Sequence, residues 1–158
     1  MKVRVGIGFD IHRLEAGREL TLGGVRIPHE KGLAGHSDGD VLLHAIADAL
    51  LGACGLGNIG EQFPDTDPRF LGADSSIFLR EAARMLRSQG YEIGNIDSNI
   101  LAERPKLLPH FDQMRRNIAS ALDVPLADVH VKAKTMERLD AVGAENAIAA
   151  EAVVLVYA

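Results

Sequence analysis

An aspartate and a histidine two positions apart, Asp10 and His12, close the apolar run VRVGIGFDIH. Two histidines and a carboxylate form a common three-ligand set for a divalent metal, with one coordination position left open for water or substrate. His44 is the natural third member. It lies in VLLHAIADALLGA, a segment that otherwise has no reason to carry an imidazole. A D-x-H pair alone has a plainer reading, with Asp10 as a cap and His12 as a hydrogen-bonded structural residue; adding His44 favours the metal. Asp48, one turn beyond His44, could orient that ring through its second nitrogen. Its plainer roles are a cap or a buried acceptor.

Other segments carry weaker signals. In GHSDGDV, His36 and Ser37 stand at the entrance to a helix, where free N–H groups and the positive dipole end suit an anion; simple capping by Ser37 is the plainer account. KAKTMER gathers Lys132, Lys134, Thr135 and Glu137: lysine and a threonine hydroxyl suit phosphate oxygens, and the carboxylate suits a hard cation such as magnesium. AERPKLLP sets Lys106 between prolines in what reads as a rigid turn or the wall of a flat ligand's pocket. Asp65 and Asp67 in FPDTDP could accept from substrate hydroxyls or simply form turns.

The elements that must position these groups follow from periodicity. In residues 3–12, Val3, Val5, Ile7, Phe9 and Ile11 share one strand face, and Gly6, Gly8, Asp10 and His12 share the other. Asp10 and His12 therefore point the same way. ELTLGGVRIP predicts a hairpin turning at Gly23-Gly24. Ser37 and Asp40 resemble a capping-box start to a helix on which Asp40, His44 and Asp48, at i, i+4 and i+8, form one polar stripe on an apolar cylinder. SSIFLREAARMLRSQG predicts an amphipathic helix closed by Gly90, NIDSNILAE a strand, and PHFDQMRRNIASAL a helix opened by Pro109. DVHVKAK and AEAVVLVYA predict two more strands. The irregular interleaving implies an α+β fold, a mixed β-sheet with helices packed on one face.

The 158 residues, 47% hydrophobic and 25% charged, suffice for one domain, 1–158, with a substantial core. A net charge of −5 with no basic block excludes a nucleic-acid or polybasic membrane footprint. One cysteine, Cys54, permits no intrachain disulfide, and the N-terminal apolar run is too short for a signal peptide or membrane span. A cytoplasmic location is expected.

Taken together, GFDIHR, GHSDGDVLLHAIADALLGA, FPDTDP, ERPKL and KAKTMER closely resemble the 2-C-methyl-D-erythritol 2,4-cyclodiphosphate synthase family, in order and across essentially the full chain. The resemblance implies a ferredoxin-like sandwich assembled as a homotrimer, with each active site between neighbouring subunits. It implies conversion of 4-diphosphocytidyl-2-C-methyl-D-erythritol 2-phosphate to the cyclic diphosphate with release of CMP. The substrate's 2-phosphate attacks the β-phosphorus, so no protein nucleophile is needed. The task is to screen repulsion: two unit negative charges 4 Å apart repel by roughly 4 kcal/mol at an effective dielectric of 20.

By the same resemblance Asp10, His12 and His44 bind Zn2+, and Glu137 helps hold Mg2+ or Mn2+ with the diphosphate. His36 and Thr135 match residues that stabilise the transition state. Substrate contacts are implied for Asp10, Ile11, His12, His36 and Ser37, and for the ribose turn of Asn58, Ile59 and Gly60. They extend to the substrate loop of Phe63, Pro64, Asp65, Thr66 and Asp67, and to the cytidine pocket of Ala102, Glu103, Arg104, Pro105, Lys106, Leu107 and Leu108. Lys134, Thr135, Met136 and Glu137 complete the set. Three positions depart from common family residues: Asn58 replaces Asp, Lys134 replaces Thr, and Ala144 replaces an arginine that in some relatives faces the trimer axis and helps hold an isoprenoid diphosphate. Without that arginine such an effector is not expected in that position, although Glu151 is kept. A non-haem iron oxygenase, which also uses two His and a carboxylate, and a non-catalytic metal-binding trimer are the alternatives. A long apolar helix around His44 counts against the first, and Thr135, Glu137 and the ERPKL loop against the second.

Overall fold

The computed structural model describes residues 1–158. In chain order the strands are β1 (Val3–Ala16), β2 (Leu20–Leu22), β3 (Val25–Ile27), β4 (Lys31–Leu33), β5 (Glu92–Leu101), β6 (Val129–Lys134) and β7 (Ala147–Tyr157). The helices are α1 (Val41–Ala53), the short α2 (Ile59–Gln62), α3 (Ser76–Ser88), α4 (Phe111–Leu122) and the short α5 (Asp140–Gly143). Five strands form a mixed sheet in the order β4-β1-β7-β5-β6, while β2 and β3 make a separate hairpin. Only β5 and β6 run parallel, joined through α4; the other pairings are antiparallel. The expected α+β architecture is thus observed. No helix is long and apolar enough to cross a membrane.

One helix dictates where the site forms. α1 is apolar almost all round because it is covered almost all round, by β1 and β7 on one side and α3 on the other. It can lie this close to β1 because Gly6 and Gly8 present no side chain: a Cβ at either would come within 1.9 Å of the Ala49 or Ala45 carbonyl oxygen of α1. Since Asp10 and His12 share that face, the contact that buries α1 also carries them under it.

The opposite face of β1 is bare. Val3, Val5, Ile7, Phe9 and Ile11 stand exposed, from 47% for Ile11 to 76% for Ile7, and the register sets Tyr157, Leu155 and Val153 of β7 beside the first three. An apolar strand face of this length is left open while the glycine and charged face is inside, the reverse of ordinary binary patterning.

Gly23 and Gly24, both at positive φ, form the predicted two-residue turn of the β2–β3 hairpin. Asp40 fastens this turn to α1. Its carboxylate accepts from the Leu43 N–H at 3.1 Å as the helix N-cap, and from the N–H groups of Gly23 at 3.0 Å and Gly24 at 2.8 Å. Burial pushes this carboxyl above the usual range, against those three donors. The cap is therefore Asp40 alone: the Ser37 hydroxyl, expected to share in it, faces His44 instead. With a protein carboxylate on its first turn, the α1 N-terminus is not the open anion site that its position suggested.

Candidate metal centre

β1 and α1 bring Asp10, His12 and His44 together. Asp10 Oδ2 lies 2.9 Å from His12 Nε2 and 3.0 Å from His44 Nδ1, and the three potential ligand atoms lie within 4.8 Å of one another. The side chains are mostly shielded, with 26%, 20% and 12% of Asp10, His12 and His44 exposed, so the cluster stays partly open to solvent. The far nitrogen of each ring is engaged outward: His12 Nδ1 with the Ala34 carbonyl oxygen, and His44 Nε2 with the Ser75 hydroxyl at 2.8 Å.

The donor chemistry fits a cation. A carbonyl oxygen can only accept, so His12 Nδ1 carries its hydrogen and a neutral ring turns the Nε2 lone pair towards Asp10. An acceptor pair meeting head-on requires a positive charge between them, either a metal ion or a proton. The electrostatics agree. Burial would raise the Asp10 carboxyl, but the hydrogen bonds and charges of His12 and His44 outweigh it and hold the group well below the ordinary carboxylate range. The hydrogen bond to Asp10 raises His12 above the usual imidazole value against the effect of burial.

The three polar residues of the α1 stripe have three different partners. Asp40 caps the helix, His44 faces Asp10, and Asp48 accepts the Ile59 N–H at 2.7 Å. Asp48 does not reach the His44 ring; it ties the start of α2 to α1. Ser75, the residue that opens α3, holds the ring instead; its sequence signal was only that of a helix start. Ser37 Oγ lies 3.2 Å from His44 Nε2, and His36 Nε2 is 3.2 Å from the Asp67 carbonyl, which it can reach as a donor. The GHS segment and the Phe63–Asp67 loop are thereby drawn to the rim of the triad. In that loop Phe63 packs on Phe70 and Phe78, and Asp67 pairs with Arg69 while Asp65 is exposed. Asn58 caps α2, its side-chain oxygen accepting from the Glu61 N–H at 3.0 Å, which leaves that oxygen one further lone pair.

A second group assembles at the far edge of the sheet. Because β5 and β6 are parallel, the loops leaving them emerge at the same end, and Ala102–Leu108 meets Lys134–Glu137. The Ala102 N–H donates to the Lys134 carbonyl at 3.0 Å, and Glu103 accepts from the Met136 N–H at 3.2 Å. Glu137 and Arg138 both adopt positive φ, 52° and 63°, and Gly143 makes room for the Arg138 backbone, which a Cβ would approach to 2.3 Å. Lys134, Thr135 and Glu137 are exposed. Register places Ile11, Ala149, Leu101 and Lys134 side by side across β1, β7, β5 and β6. Three strand spacings, about 14 Å, thus separate the strand carrying Asp10 and His12 from the KAKTMER segment within one chain.

The chain matches known proteins over essentially its whole length. A model of the YgbB family matches residues 3–157. A 2-C-methyl-D-erythritol 2,4-cyclodiphosphate synthase of Cupriavidus metallidurans is 56% identical over 155 residues, covering 98% of this chain and 92% of that protein. One from Geobacillus sp. is 55% identical over 152 residues, 96% of each. Among solved structures, a 2C-methyl-D-erythritol-2,4-cyclodiphosphate synthase in a CDP-bound form superposes with a TM-score of 0.90 at 43% identity, covering 98% of this chain and all of that one. The bifunctional IspDF of Campylobacter jejuni superposes at 0.94 with 42% identity, over 98% of this chain and 42% of its own.

Proposed function

The chain belongs to the YgbB family and has the 2-C-methyl-D-erythritol 2,4-cyclodiphosphate synthase activity of its relatives, a lyase reaction of isoprenoid biosynthesis; we propose that it works through the Asp10, His12 and His44 triad. The observation that carries this reading is the convergence of three ligand atoms on one point with both rings anchored from behind. Asp10, His12 and His44 would hold Zn2+, and Glu137 would help hold Mg2+ or Mn2+. When bound, these ions act as Lewis acid and template for the diphosphate.

The chain's own residues then align one molecule with itself. The 2-phosphate of 4-diphosphocytidyl-2-C-methyl-D-erythritol 2-phosphate attacks the β-phosphorus, and the bond to the CMP oxygen breaks. Ser37 and His36 at the rim orient the attacking phosphate, and Thr135 with Lys134 steadies the diphosphate on its other side; none needs to become covalently attached. Ala102–Leu108 receives the cytosine and its phosphate, with Lys106 as the cation, while Asn58–Gly60 meets the ribose. The Phe63–Asp67 loop encloses the erythritol part.

A homotrimer reconciles the separation between the two groups with a single substrate. In it one subunit supplies the triad and its neighbour the cytidine pocket, and the bare apolar face of β1 and β7 is covered by other copies. The sheet fits a ferredoxin-like sandwich, since β1 and β5 run parallel with the antiparallel β7 between them, a split β-α-β arrangement. The chain 1–158 acts as one catalytic domain in the cytoplasm.

Incubation with the cytidine-linked substrate and magnesium should release CMP and cyclic diphosphate in equal amounts. His44→Ala should abolish release while leaving the folded spectrum intact. Full activity in that variant would remove His44 from the ligand set.

A further inference from the structure

We propose that Asp38 and Ser75 form a positioning pair that fixes which nitrogen of His44 faces the metal site. The inference rests on the metal reading of the triad and concerns residues outside it. Ser75 is fully buried at the start of α3, and its hydroxyl has three polar neighbours: the Asp38 carboxylate, His44 Nε2 at 2.8 Å and Ser37 Oγ at 3.4 Å. Asp38 also accepts the Ser75 backbone N–H at 3.0 Å, so the two residues are clasped at two points.

A hydroxyl has one hydrogen to give. The Asp38 carboxylate accepts from the Ser75 hydroxyl, so the Ser75 hydrogen goes to Asp38. The Ser75 oxygen must then accept from His44, which places the ring hydrogen on Nε2 and leaves the Nδ1 lone pair aimed at Asp10. His12 reaches the same state through the Ala34 carbonyl, without a side chain. The two rings are set by different means, and only the His44 arrangement can be altered by substitution.

The tautomer itself is the test that a purely structural role would not move. Long-range proton–nitrogen NMR of the zinc-loaded full chain should find His44 protonated at Nε2, with Nδ1 turned to the metal. Ser75→Ala should weaken zinc affinity 10–100-fold, measured by chelator competition; Ser75→Thr, which keeps the hydroxyl, should recover most of it. Asp38→Ala, which frees the hydroxyl hydrogen to point at the ring, should weaken zinc affinity likewise. Wild-type His44 protonated at Nδ1 would overturn the inference, as would zinc affinity in Ser75→Ala within twofold of the parent. The tautomer is read in the parent chain without any variant, so it decides this inference even if a variant fails to fold. Equal zinc affinity in the parent and His44→Ala would instead count against the metal reading of the triad.

Discussion

On one side of β1, Gly6, Gly8, Asp10 and His12 lie against α1; on the other, Val3, Val5, Ile7, Phe9 and Ile11 face outward. The first face is poor in hydrophobic side chains yet is the inner one, because what it contributes is proximity. Two missing side chains let a helix approach until a carboxylate and an imidazole on the strand meet an imidazole on the helix. The second face has the hydrophobic surface and no cover within the chain. Burial within the chain therefore goes to building the site, and the exposed apolar area is what other copies would cover in the proposed homotrimer.

The sharpest way to break this contrast is to fill the gap under α1. Gly8→Val puts a Cβ into the Ala45 carbonyl and should destabilise the protein by about 3 kcal/mol or more. Urea unfolding reads this directly, and an unchanged midpoint would mean that the close strand–helix contact is not needed. On the bare face the effect should fall on association rather than folding. Ile7→Glu should keep a folded spectrum while light scattering finds the mass of a single chain; a retained trimer would show that this face is not the one covered.

The smallest effect concerns the polar half of the same face, where Asp97 aligns with Val153 and Ile7 and pairs with Lys132 and His130. The hydrogen bond from Lys132, then that from His130, hold the Asp97 carboxyl below its ordinary value. A carboxyl depressed in the folded state stabilises above its unfolded pKa, and that contribution is lost as pH falls through the folded value. The groups are half exposed, so solvent screening keeps the gain under ~1 kcal/mol. Asp97→Asn should lose less stability than the parent between pH 7 and pH 3, as followed by melting temperature. An identical loss would assign the pair no role.

Much of this was legible from pattern. Alternation put Asp10 and His12 on one face, the helix stripe singled out His44, and the Gly23-Gly24 turn and strand–helix succession read correctly. What pattern could not reveal was which face of β1 turns inward, because that depends on where α1 lies and on the room left by two glycines. Asp48 was a reasonable partner for His44 by spacing along α1. The ring's orientation gave the place to Ser75, 31 residues away in sequence, while Asp48 bonded the backbone of Ile59. Ser75 and Asp38 carry no local signature: one resembles an ordinary helix start and the other an ordinary turn. Their relation exists only once α3 is folded against the loop before α1.

Asp10, His12 and His44 are proposed to grip one metal ion from three directions. Anomalous X-ray scattering recorded across the zinc edge, on crystals of active protein, tests it most directly. A zinc peak enclosed by Asp10 Oδ2, His12 Nε2 and His44 Nδ1 is expected. Active crystals with no anomalous peak among these three side chains would contradict it.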